Sequence, residues 1–153
     1  MSSELLKKFF WIPLFVVGIV LIILGPRWMI VEEPWLLSKV ANEETLGTSF
    51  DKLFTANVNK NLPDYLRNIY RFFGLWVTGL GLMICSYVLM VDIQASKSRY
   101  TILAISGLIL GVSLYLGHMF IPSSPFIYLM WGLVAIYLVS FFASLKLNKI
   151  SEM

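Results

Sequence analysis

LPDYLRNIYRFFGLWVTGLGLMICSYVLMVD, Leu62 to Asp92, begins with charges spaced as on the surface of a soluble helix and then runs from Phe72 to Val91 without one. A helix needs roughly 17–25 apolar residues to cross the hydrocarbon of a bilayer. The second part of the stretch therefore reads as a membrane span and the first as its head. Asn61 is a fair N-cap, Pro63 suits a first helical turn, and Asp64 sits where the helix dipole favours an anion. From Pro63 to Val91 a helix would be about 43 Å long at ~1.5 Å per residue, roughly three turns more than a ~30 Å core requires. The surplus turns carry Asp64, Arg67, Asn68 and Arg71, with Leu62, Leu66, Ile69, Tyr70 and Phe73 along one face.

The rest of the chain repeats the pattern. Its 153 residues are 58% hydrophobic and only 14% charged, with a mean hydropathy of +0.78, whereas soluble domains carry about a quarter charged residues. Apolar blocks at 9–25, 72–91, 100–121 and 126–145 predict an all-α, polytopic membrane protein. The expected form is one integral membrane domain over 1–153, a four-helix transmembrane bundle with a helical extracytoplasmic cap at 26–71. Gly25-Pro26 is expected to stop the first span, with Pro13 in its first turns. Lys7-Lys8 before that span resembles a secretory leader, but no small-x-small cleavage site follows, so an uncleaved span is expected.

Lys7, Lys8, Lys97, Arg99, Lys146 and Lys149 stand against Glu4, Asp92 and Glu152 at the termini and the 92–99 loop, a net positive side. The 26–71 segment balances six basic against six acidic residues. Net charge, the Lys7-Lys8 pair and the charge-free IPSSP turn at 121–125 place both termini in the cytoplasm. The pI near 9.0 reflects this asymmetry. The basic residues form no clustered stripe, so no nucleic acid is expected as a partner.

The 26–71 segment is longer than a connector needs and rich in apolar residues. A short helix is expected from Pro34 over PWLLSKVA. A second should run over Thr48 to Thr55, capped by Thr48 or Ser49, with Phe50, Leu53 and Phe54 on one face. The cap's tryptophans would lie at headgroup depth.

Candidate chemistry is sparse. None of the four blocks holds Asp, Glu, Lys or Arg, which argues against a proton- or cation-coupled transporter of the small multidrug type. One cysteine, Cys85, permits no internal disulfide or thiol pair, and one histidine, His118, no bis-histidine haem. Metal-ligand spacing, a phosphate-binding loop, a nucleophile elbow and a cofactor signature are all lacking, so no cofactor or metal is expected and the balance leans away from an enzyme.

Arg67 and Arg71, one turn apart, read first as a snorkelling collar that meets headgroups or pairs with Asp64, Glu32 or Glu33. The alternative is an anion or headgroup pocket built with Lys60 and the cap aromatics. His118, in GHMFIPSSP, reads as an interfacial polar residue, or else as a ligand contact facing that head. Trp76, among the span aromatics, reads as a belt residue or as a cavity wall. Arg67, Arg71, His118 and Trp76 are therefore the candidate ligand-binding set. Gly107 and Gly111 make a GxxxG, and Gly74, Gly79 and Gly81 lie on the second span. The glycines are expected to pack spans two and three together, with a homodimer through Gly107 and Gly111 as the alternative.

The run YLRNIYRFFGLWVTGLGLMI and the layout of four short spans resemble the small bacterial four-helix membrane proteins of the DoxX-like and DUF4345-like type. In these a span often opens with an Arg followed by spaced glycines, here Arg67 or Arg71 and then Gly74, Gly79 and Gly81. The resemblance implies a bundle in a bacterial inner membrane and no particular activity. Beyond the lipid bilayer as partner, two functions are expected to compete. One is an accessory or interaction protein that docks another membrane protein, the reading favoured by the absence of intramembrane charge. The other is a binder, less readily an enzyme, of a lipid, quinone or other apolar ligand under the cap.

Overall fold

A computed structural model describes residues 2–92 and 94–151, Ser151 by its backbone alone. Glu152, counted above with the termini, lies outside the described residues. Among the described residues four helices are long and apolar enough to cross a membrane: α1 (Ser3–Ile30), α4 (Leu62–Met90), α5 (Ser96–Phe120) and α6 (Phe126–Ser151). Two short helices between the first pair, α2 (Lys39–Leu46) and α3 (Phe50–Thr55), build the cap. The described residues contain no strand, as an all-α membrane bundle requires. The end that carries 31–61 is called the cap end; the described termini and the link between α4 and α5 lie at the terminal end.

Gly25-Pro26 does not stop the first span. Helix α1 starts at Ser3, whose preceding Ser2 hydroxyl accepts from Leu5 N at 3.4 Å, so Pro13 falls well inside the helix, and it continues through Pro26 to Ile30. A proline removes only one rung of the ladder, and a neighbouring helix can hold the turn beyond it. Here Trp28 does so, buried between the rings of Phe73 (5.1 Å) and Phe126 (4.9 Å). At the head of α4, Asn61 occupies the expected capping position but has helical backbone angles and makes no side-chain capping bond. Pro63 stands in the first turn and the helix runs on unbroken, as expected of the 62–92 stretch.

The glycines choose a different neighbour from the one expected. Helix α1 packs along α4 on one side and along α6 on the other, α5 packs along α6, and α4 and α5 are not packed along each other. Gly74 and Gly81 lie against α1, where an added Cβ would stand 2.5 Å from Gly25 O and 2.7 Å from Gly18 O respectively. The expected close packing of spans two and three is therefore replaced by spans one and two. The physical reason is that a glycine marks where a backbone can be approached, not by which helix. The Tyr87 hydroxyl, donating to Ser98 O at 3.1 Å, links α4 to α5 beside their joining turn. The filled core lies in that terminal half: Leu6, Phe10 and Leu14 of α1 against Ile84 and Val88, Ile102 and Leu103, and Ala143 and Leu147.

In the cap, Pro34 starts a 3-10 turn to Ser38 that passes directly into α2, and Gly47 closes α2 with a left-handed φ of 65°. Ser49 caps α3, its hydroxyl accepting from Lys52 N at 3.4 Å. Phe50 and Phe54 then clasp Trp35, with ring centroids 6.2 and 5.3 Å away. Trp28 and Trp35 are both buried, so their rings pack within the protein and do not face headgroups. Aromatic rings large enough to nucleate a small core serve that role first.

Candidate functional site

The cap straddles the bundle because the two sides hold it differently. Towards α1 and α4 it is fixed by burial of Pro34 and Trp35 and by Arg67 Nε, which donates to Glu32 O at 2.8 Å. Towards the α5–α6 turn it is held by hydroxyls. Ser38 Oγ and Ser124 Oγ lie 2.9 Å apart, Thr45 Oγ1 donates to Phe120 O at 2.7 Å, and Ser123 Oγ donates to Glu44 Oε2 at 2.5 Å.

Between these attachments runs a half-open cleft of about 240 Å³. Its cap wall is Trp35, Phe50 and Leu53, the α4 head supplies Leu66 and Tyr70, and Phe120 and Ile121 close the α5 side. Asn42 and Thr45 add the polar atoms, and none of the lining residues is charged. The Asn42 amide is oriented by its bonds: Nδ2 donates to Trp35 O at 2.8 Å and to the Tyr70 hydroxyl at 3.2 Å. A carbonyl can only accept, so the amide nitrogen must face Trp35, and the Tyr70 oxygen then serves as acceptor. The cleft falls below the ~300–1,000 Å³ usual for drug-sized ligands, so it suits one end of a long molecule and not the whole of it.

The four candidate residues from the sequence lie elsewhere. Arg67 Nη1 pairs with Asp64 Oδ1 at 2.7 Å and its Nε takes Glu32 O, joining the α4 head to the end of α1. Arg71 is exposed and has no ion pair or hydrogen bond among the described residues. Trp76 is 65% exposed, its ring edge-on to Phe72 at 5.9 Å. His118 is exposed too; its Nδ1 donates to Leu114 O at 2.9 Å and its ring meets Trp131 at 6.2 Å. No hydrogen bond, ion pair or ring contact joins any two of the four, and none of them lines the cleft. The GxxxG divides as well. A Cβ at Gly107 would meet the Tyr137 hydroxyl at 2.6 Å, whereas at Gly111 it would meet open space.

A polar cluster that sequence reading missed lies at the terminal end. Arg99, 3% exposed, donates from Nε to Ser144 Oγ at 3.3 Å, from Nη1 to Gln94 O at 2.6 Å, and from Nη2 to Ser96 Oγ at 3.2 Å and to Asn148 Oδ1. Asn148 Nδ2 in turn donates to the Tyr100 hydroxyl. The signal that could have shown it is the four-residue spacing of Ser140, Ser144 and Asn148, one polar stripe on a helix that is apolar up to Lys146. Among the described residues no three His, Cys, Asp or Glu side chains are placed to share a metal ion. No family model matches the chain, and no curated protein or solved structure is significantly similar to it.

Proposed function

We propose that this chain is a non-catalytic, multi-pass protein of a bacterial inner membrane, DoxX-like in layout and with cytoplasmic termini, that holds one end of an apolar ligand beneath its cap. The observation that carries this reading is the uncharged cleft between Trp35, Tyr70 and Phe120. It stands at the cap end of spans α4 and α5, where an amphiphile of the adjoining leaflet has its polar end. Aromatic and aliphatic walls with a few oriented polar groups are the usual make-up of such sites.

Native mass spectrometry of protein extracted gently from its own membrane tests this. A retained lipid-sized mass that disappears when the cleft is filled by Leu66→Trp supports the reading. A bare protein, or a bound mass indifferent to Leu66→Trp, removes it.

The competing reading is an accessory subunit that docks another membrane protein. It is favoured by the cap half of α5, where Leu108, Tyr115 and Met119 are all more than 60% exposed and Gly111 has open space before it. A homodimer would use the same face around Gly111, since Gly107 is already covered by Tyr137. Co-extraction of a second polypeptide that a bulky Gly111→Leu displaces would select this reading instead.

A further inference from the structure

Resting on the ligand-binding reading above, we infer that the cleft selects an uncharged amphiphile, one whose polar end offers a carbonyl or hydroxyl oxygen to the Tyr70 phenol. Three observations converge on that chemistry.

The first is the hydrogen-bond inventory at the polar corner. Both protons of the Asn42 amide are in use, one on Trp35 O and one on the Tyr70 oxygen. Tyr70 therefore accepts in this pair, and its own proton has no acceptor among the described residues. A phenol has one proton to give. The cleft thus presents an O–H donor fixed in place by its neighbour, and an acceptor oxygen on a ligand completes it.

The second is charge. No lysine, arginine or histidine lines the cleft: Arg67 is engaged on Asp64 and Glu32 O, Lys39 stands 3.9 Å from Glu43, and Arg71 and Lys52, neighbours in sequence of Tyr70 and Leu53, are exposed and outside the lining. The carboxylates of α2 are likewise turned to other partners, Glu43 accepting from Phe50 N at 2.9 Å and Glu44 from Ser123. An ionised headgroup placed here would lose water and gain no counter-charge, a cost that an uncharged polar end does not incur.

The third is the balance of the walls. Trp35, Phe50, Leu53, Leu66 and Phe120 leave room for hydrocarbon beside the one donor. A small polar solute would forfeit that contact, whereas a chain-bearing molecule uses it.

The probes are a monoacylglycerol, the free fatty acid of the same chain length at alkaline pH where it is ionised, and the matching hydrocarbon. Each is titrated onto the purified full chain by native mass spectrometry. The monoacylglycerol should bind more tightly than the ionised acid by more than about tenfold. Tyr70→Phe should weaken it by about three- to tenfold, the scale of one neutral hydrogen bond, and leave the hydrocarbon unchanged. Leu66→Lys, which adds a cation to the cleft wall, should move the preference to the acid. Equal binding of ester and acid, or an ester affinity that ignores Tyr70→Phe, overturns this inference while leaving a ligand site in place. If no probe binds any variant, the ligand-binding reading falls with it.

Discussion

Gly25 and Gly74 touch through their backbones: a Cβ added to Gly25 would lie 2.6 Å from Gly74 O, and one added to Gly74 would lie 2.5 Å from Gly25 O. Two turns towards the terminal end the contact repeats between Gly18 and Gly81. The glycines are seven residues apart on each helix, so both pairs fall on one seam as the antiparallel helices run past each other. Because the nearest obstructing atoms at Gly74 and Gly81 are backbone oxygens, a methyl there is not accommodated by rotating a side chain. Gly74→Ala and Gly81→Ala should each cost about 1–3 kcal/mol, the usual scale of overpacking. Gly79→Ala, whose Cβ meets nothing within 4 Å, should be neutral or slightly stabilising. Thermal unfolding in one detergent compares the three, and equal midpoints would mean that the seam is not close-packed.

The hydroxyl bridge at the other side of the cap gives a second expectation. Ser38 Oγ and Ser124 Oγ are 2.9 Å apart, close enough that paired cysteine sulfurs can reach their ~2.05 Å bond with a small shift. The Ser38→Cys/Ser124→Cys protein should oxidise to a disulfide, detectable as a faster-migrating band that a reductant abolishes. Closing so long a loop could add up to about 4 kcal/mol by chain entropy. The gain should be smaller, since the membrane already restrains the unfolded chain, and Ser124→Cys weakens the hydroxyl that accepts from Phe126 N at 3.3 Å. Failure to oxidise would show that the cap does not rest on the α5–α6 turn.

What could be read in advance divides along physical lines. Span number and the helical head at Leu62 follow from apolar length and from Pro63 in the first turn, which act within one segment. The choice of neighbours does not. Gly74 and Gly81 announce a close approach, but Gly18 and Gly25 on α1 were needed to say to which helix. Pro26 obeys a local stopping rule only until Trp28 is anchored between Phe73 and Phe126. The burial of the cap tryptophans was not legible either, because belt and cap core draw on the same residue type. Of the candidate site, the cap was foreseeable as a place, while its polar corner was not. Asn42 and Tyr70 lie 28 residues apart and meet only when the 3-10 turn at Pro34 folds α2 back over the α4 head.

The two arginines of that head should separate on mutation. Arg67 joins Asp64 and Glu32 O, whereas Arg71 projects outward without a described partner. Arg67→Ala should lower stability by up to about 1 kcal/mol, the ceiling for a partly exposed pair, and Arg71→Ala by less. Unfolding in detergent followed by intrinsic fluorescence reads both. Arg71 as a collar has its effect on insertion, so its alanine variant should show a smaller membrane-inserted fraction with any bound ligand retained. An unchanged midpoint together with a lost ligand would contradict the collar and return Arg71 to a binding role.

Arg99 presents the opposite case, a cation that sequence reading counts towards topology and the fold takes inside. Its guanidinium reaches acceptors on two sides, among them Gln94 O just before α5 and Ser96 Oγ at its start, and Ser144 Oγ and Asn148 Oδ1 on α6. At 3% exposure it has no route to a headgroup. The positive-inside rule assigns its charge to the moment of insertion, whereas the planar fork acts after α5 and α6 have met. Arg99→Lys keeps the charge but a point ammonium cannot serve acceptors spread this way, so a topology reporter at the C-terminus should be unchanged while the unfolding midpoint falls. Arg99→Ala removes the donor to the buried Ser144 Oγ and one of the donors to Asn148 Oδ1, which keeps that of Ser96 Oγ, at a cost on the order of 1–3 kcal/mol. If the lysine variant matched the native midpoint, the buried cluster would be incidental to the α5–α6 pairing. If it inverted the reporter, orientation would depend on the guanidinium itself and not on the positive charge that insertion senses.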